Sequence, residues 1–280
     1  MLRIILLIAL GLCPMNGAFA EYTTGAERLE FEHELSMEYE TPHTQWAKPY
    51  AQGTTRVLFV APYYQGSTEG REIIELMQRF DLKADAAYFQ RGPNRLLGDN
   101  NTRWYVTDAV GTERTVRLLE TPYDVIFLNQ VTLAELNDTV REAFLRAIEG
   151  GTGLVYVGEA EAWGQASFKR AGEAPLGIGI TGAYAHGAGR VLQLPLREKL
   201  TYDYGWELAL DHQMAIHGRA LLWAAGRAPQ GSLDISVAPD GPPEVTWSGA
   251  PVGSTVEVVL RDVMGQEESL LTVDANGTGR

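Results

Sequence analysis

The sequence predicts a doubly wound α/β domain with a mostly parallel sheet, followed by a C-terminal all-β, sandwich-like domain. Three observations carry this. Continuous apolar runs of five or six residues recur (RVLFVA, DVIFL, GLVYV), rich in β-branched side chains, as strands buried on both faces require. Segments with helical spacing of apolar residues separate them. After Gly226 the pattern changes to short strand-like runs divided by Pro, Gly and Asp.

Arg56–Ala61 is the first predicted strand, stopped by Pro62. Ser67 or Thr68 can cap the helix that follows, whose apolar stripe is Ile73, Ile74, Leu76, Met77 and Phe80. With Ala84–Phe89 as the next strand, this forms a β-α-β unit, whose crossover is right-handed in nearly all proteins. The stretch 90–101 is polar and turn-rich. Beyond it, Trp104–Thr107 and Thr115–Leu119 fit a hairpin about Gly111, or Thr112–Leu119 fits a helix. Asp124–Leu128 is a buried strand, Leu133–Ile148 a helix closed by Gly150 and Gly151, and Gly153–Val157 the next buried strand. Gly177–Thr181 and Arg190–Leu194 read as further strands, and Trp206–Ala225 as a long helix ended by Gly226 and Pro229. The stripe Leu208, Met214, Leu221, Leu222 and Trp223 faces a core. Residues 227–231 form a linker, and LDISV, EVTW, STVEVVLRDV and ESLLTV are the strands of an immunoglobulin-like sandwich. Only about four strands fit where such sandwiches use about seven, so the last domain reads as small or incomplete and the chain as part of a longer protein.

The first twenty residues have the form of a secretory signal peptide. Arg3 gives the positive start, Ile4–Leu12 the apolar run and Ala18-Phe19-Ala20 the small-x-small site, so cleavage is expected near Ala20. The apolar run is far short of the ~20 residues a membrane span needs. Cys13 is the single cysteine of the chain and lies inside this segment. It would anchor a lipid in a lipoprotein signal, but Leu12 stands where those signals use a small residue. The mature chain is then free of thiols, which excludes disulfides, CxxC redox motifs and thiolate zinc sites. Without Arg3 the 23 basic residues become 22 against 36 acidic ones, a net charge of −14. Such a surface repels nucleic acid and anionic lipid. Domain organisation is thus 1–20 signal peptide, 21–53 acidic N-terminal arm pinned at its end by Trp46, Pro49 and Tyr50, 54–227 α/β domain, and 228–280 β domain. The expected location is secreted, periplasmic or cell-surface.

From Arg56 to Arg227, about 60% of the chain, the order of elements resembles the class I glutamine amidotransferase-like superfamily. That group includes trehalose-utilisation-like proteins and the amidotransferase-like domain of some β-galactosidases. The matching stretches are RVLFVAPYY running into a helix, YDVIFLNQ, GGTGLVYVGEAEAW, and GAGRVLQLPL before a helix ending in LLWAAGR. The chain also looks like large secreted bacterial proteins that carry such a domain beside β-sandwiches. The resemblance implies a flavodoxin-like sheet and, in catalytic members, a nucleophilic cysteine in a tight elbow after the strand matching GLVYV, with a His and Glu supplied later. Here the elbow reads Gly158-Glu159-Ala160-Glu161, with neither cysteine nor serine, and TYDYGWELALDHQ holds no His-Pro-Glu triplet. The resemblance therefore implies a scaffold that has lost the amidotransferase reaction.

The remaining candidates gather at predicted strand ends, where open α/β sheets bind ligands. Glu159 and Glu161 can act as acid and base on a glycosidic bond or hold a cation; alternatively one caps a helix and the other is solvated. Tyr63, Tyr64 and Gln65 follow the first strand, Asn129 and Gln130 follow DVIFL, and Trp163 follows the elbow. Aromatic rings beside amides and carboxylates suit sugars, and equally suit a packed, hydrogen-bonded loop cluster. His186 stands between glycines in what reads as an open loop, as a ligand or acid–base group or simply as an exposed side chain. Asp211, His212 and His217 lie in a helical stretch without the i, i+4 spacing of a histidine metal pair. The run from Gly177 to Gly182 lacks the lysine of a phosphate loop. Asn100, Asn137 and Asn276 sit in N-x-T sequons. No cofactor is implied. Three functions fit: a non-catalytic, carbohydrate-related binding or assembly module, a glycan hydrolase using Glu159 or Glu161, or a structural spacer.

Overall fold

A computed structural model describes residues 41, 43, 46, 48–62, 69–90, 95–99, 108–159, 164–172, 182–195, 206–229, 231–237, 243–249, 255–261, 267–274 and 277–279. The chain divides into two compact units at Gly226/Arg227.

The first unit is built on one eight-stranded sheet. Five strands are parallel: β1 (Thr55–Pro62), β2 (Leu82–Gln90), β4 (Val125–Asn129), β5 (Gly153–Val157) and β8 (Gly189–Leu194). In space they run β2-β1-β4-β5-β8. Antiparallel strands extend both edges, with β3 (Arg95–Asp99) on β2, β7 (Gly182–His186) on β8, and β6 (Lys169–Arg170) on β7. An α/β class with a mostly parallel sheet is therefore correct. The apolar runs made this legible: all residues of β4 and β5 are buried, and all of β1 except Arg56.

Helices cover both faces. Val57, Phe59 and Ala61 of β1 point to one face, with α1 (Glu69–Arg79) and α4 (Trp206–Ala224). Leu58 and Val60 point to the other, with α2 (Asp108–Leu118) and α3 (Asp138–Glu149). The α4 helix crosses close enough to the first face that a Cβ on Gly218 would lie 2.1 Å from the Phe80 ring.

Two expectations change. Residues 108–118 form a helix rather than a hairpin, and Thr112 accepts a hydrogen bond from Asn137 (Nδ2···Oγ1 2.7 Å). The α3 helix begins five residues later than Leu133, because Asn137 caps it: its Oδ1 accepts from Val140 N at 3.0 Å. The Asn137 sequon is thus built into a helix start. The predicted strand Gly177–Thr181 lies outside the described residues, as do the signal segment and most of the arm.

In the second unit, β10 (Pro243–Ser248) is the centre of a three-stranded antiparallel sheet with β9 (Ser232–Val237) and β13 (Gly277–Gly279). A second ribbon pairs β11 (Thr255–Arg261) with β12 (Glu267–Asp274) across a bulge at Val258/Val259. The four runs read as strands are strands, and β13 is a fifth.

Candidate functional site

The chain passes from β1 to β2 on one side and later returns to place β4 on the other side of β1. That reversal makes the carboxyl ends of β1 and β4 the switch point, where doubly wound sheets open a crevice. The described residues there are Pro62, Asn129 and Gln130, with Gly158 and Glu159 at the end of the neighbouring strand β5. Tyr63, Tyr64, Gln65, Glu161 and Trp163 lie outside the described residues.

The strand ends are stitched together by backbone. Gln130 N donates to Val157 O at 2.8 Å, and Gly158 N to Leu194 O at 3.1 Å. Gln130 adopts φ 58°, a left-handed conformation that a non-glycine residue holds only when its surroundings dictate it. At Gly158 a Cβ would lie 2.2 Å from the Tyr156 hydroxyl, so the turn out of β5 accepts only glycine without rearrangement. Glu159 follows it, exposed.

Asn129 does not face an open crevice. It is buried, and its Nδ2 donates to Glu72 Oε2 at 2.8 Å. The other oxygen of Glu72 meets His217 Nδ1, and both side chains are buried. His217 also packs against Phe127, ring centroids 6.0 Å apart. Three elements, β4, α1 and α4, thus contribute one side chain each to a closed amide–carboxylate–imidazole chain beneath the strand end.

A second cluster continues along α1. Arg79, fully buried, donates from Nη1 to Glu75 Oε2 and from Nε to Asp211 Oδ1, each at 2.7 Å. Arg71 Nε donates to Glu75 Oε1 at 2.7 Å, and Thr41 Oγ1 donates to Glu75 Oε2 at 2.5 Å. Burial pushes the Glu75 carboxyl upward; the bonds from Thr41, Arg79 and Arg71 outweigh it and hold the group below its ordinary value of 4.5.

These pairings remove one sequence reading. Asp211 and His217 do not converge on a shared site: Asp211 belongs to Arg79 and His217 to Glu72, while His212 is exposed. Among the described residues no group of three or more His, Cys, Asp or Glu side chains is placed to hold a metal ion. His186 also differs from expectation. It is the last residue of β7, opposite Gly189, and its ring stacks edge-on against Phe168 at 5.6 Å. Gly189 begins β8 at the end where β5 also begins. The five residues of β5, roughly 16 Å of strand at ~3.3 Å each, therefore separate His186 from Glu159.

Glu72, Glu75 and Arg79 were not singled out from sequence. A signal was present: they recur at helical spacing beside Ile73, Leu76 and Phe80, inside the stripe that faces the core. Among the described residues no helix is long and apolar enough to cross a membrane. No protein-family model matches this chain, and no curated protein matches it.

Proposed function

We propose that this chain is an exported, non-catalytic binding or assembly module, carbohydrate-related, built on an amidotransferase-like scaffold and joined to a small immunoglobulin-like β domain. The observation that carries the reading is the turn after β5. Where the enzymes that the sequence resembles hold a strained nucleophile, this chain has Gly158 followed by the exposed carboxylate Glu159. A carboxylate there cannot form the thioester of amide transfer. Two described acid–base side chains beneath the strand end support the same reading, since Glu72 is turned onto His217 and Asn129 inside the fold. The signal-like first twenty residues support export, and the short antiparallel strands of the second unit support a sandwich-type module.

A panel of purified glycans tests this on the mature chain. The expected result is binding without turnover. Turnover that disappears in Glu159→Gln would overturn the reading in favour of a hydrolase. Neither binding nor turnover would leave the chain a spacer.

A further inference from the structure

The end of the N-terminal arm makes a set of contacts unlike those of a passing linker. A helix leaves its last four carbonyls without partners inside the helix. In α1 two of these are met from the arm: Lys48 Nζ donates to Met77 O at 3.0 Å, and Trp46 N donates to Arg79 O at 3.0 Å. The ammonium also suits the negative end of the helix dipole. The Trp46 ring lies 5.5 Å from that of Phe80, the residue against which Gly218 of α4 packs. Tyr50 N donates to Asp81 Oδ2 at 3.1 Å. Thr41 reaches Glu75, the carboxylate that α1 shares with buried Arg79.

We infer that the arm, through Thr41, Trp46, Lys48 and Tyr50, is a strap that locks the end of α1 against α4 and thereby fixes Glu72 beneath Asn129 at the switch point. At Trp46 docking is by rim contacts, since that side chain keeps 38% of its surface exposed, whereas Tyr50 packs against the core of this face. The strap can therefore lift from its Trp46 end without opening the sheet core. Lifting it removes two carbonyl partners and the Thr41 bond together, and opens the Glu75–Arg79–Asp211 cluster to water. Because α1 carries both Glu75 and Glu72, looseness at its end reaches the bond from Asn129. The inference concerns the fold and stands whether or not the crevice binds a glycan.

Amide hydrogen exchange on the full mature chain decides it. In Trp46→Ala/Lys48→Ala, exchange over residues 72–80 and over 129–130 should quicken by at least about tenfold, while β5 and β8 keep their protection. Trp46→Phe with Lys48 retained keeps the ring contact and the backbone bond, and should restore protection. Unchanged exchange over 72–80 would overturn the inference. So would loosening of α1 with 129–130 unaffected, or a uniform rise across the whole unit.

Discussion

The two faces of the central sheet are covered by the same means and held by different chemistry. Beneath α2 and α3 the layer is apolar: Val140, Phe144 and Ile148 of α3 sit on Leu58, Val60, Ile126 and Leu128. Beneath α1 and α4, apolar packing is interrupted by Glu72, Glu75, Gln78, Arg79 and His217, all buried. From residue 71 to 79 only Arg71 and Met77 escape full burial. An apolar layer is held by non-directional contacts and tolerates hydrophobic exchange that keeps its volume. A buried ionic layer does not, since displacement by an ångström leaves a charge without its partner. The α1 face is therefore the one whose geometry is specified, and it is the face that lies under Asn129.

Removing the central cation should give the largest effect. Arg79→Leu takes from Glu75 and Asp211 the buried cation they share and is expected to cost about 3–5 kcal/mol, read from the urea midpoint. The triple variant Glu75→Gln/Arg79→Leu/Asp211→Asn should recover most of that loss. If it remains as unstable as Arg79→Leu, the cost lies in packing and the contrast between the faces fails. On the apolar face, Ile148→Val should cost only about 0.5–1.5 kcal/mol, with no change in the pH dependence of unfolding. The smallest effect is the most specific. Glu75 has a lowered folded-state pKa, so its contribution is fully present above its unfolded value, near 4.5, and is lost as pH falls through the lower folded value. Thr41→Val removes one of the bonds that lower it, so acid unfolding should begin at higher pH. An acid transition identical to the parent chain's would show that Thr41 does not act on Glu75.

Much of the fold was legible because burial on both faces leaves a direct mark on composition. RVLFVA, DVIFL and GLVYV could be little else than central strands, and β1, β4 and β5 formed where those runs stand. The helix Asp108–Leu118 was ambiguous because its apolar residues fit either period. The start of α3 was misplaced because Leu133 and Leu136 continue the helical spacing although the chain there is a turn closed by Thr132 and Glu135. The candidate site was legible only in part. Glu159 stands exposed at the strand end, whereas Asn129, which suited either a ligand or a packed hydrogen-bonded cluster, is buried and faces Glu72. No local pattern tells an inward amide from an outward one at the last position of a strand.

The sequence alone determined the α/β class and the positions of the central buried strands. Each is a matter of residue type or of local periodicity, and needs no distant partner to be read. The tertiary structure decided that Glu72 meets His217 and that Arg79 meets Asp211, pairs separated by 145 and 132 residues. It also decided that His186 lies at the far end of the sheet from Glu159. A charged residue in an apolar stripe reads the same whether it is solvated or neutralised. Only the packing of α4 and the arm onto α1 brings Asp211, His217 and Thr41 to the charged groups that the Glu75–Arg79 pair alone leaves incompletely met.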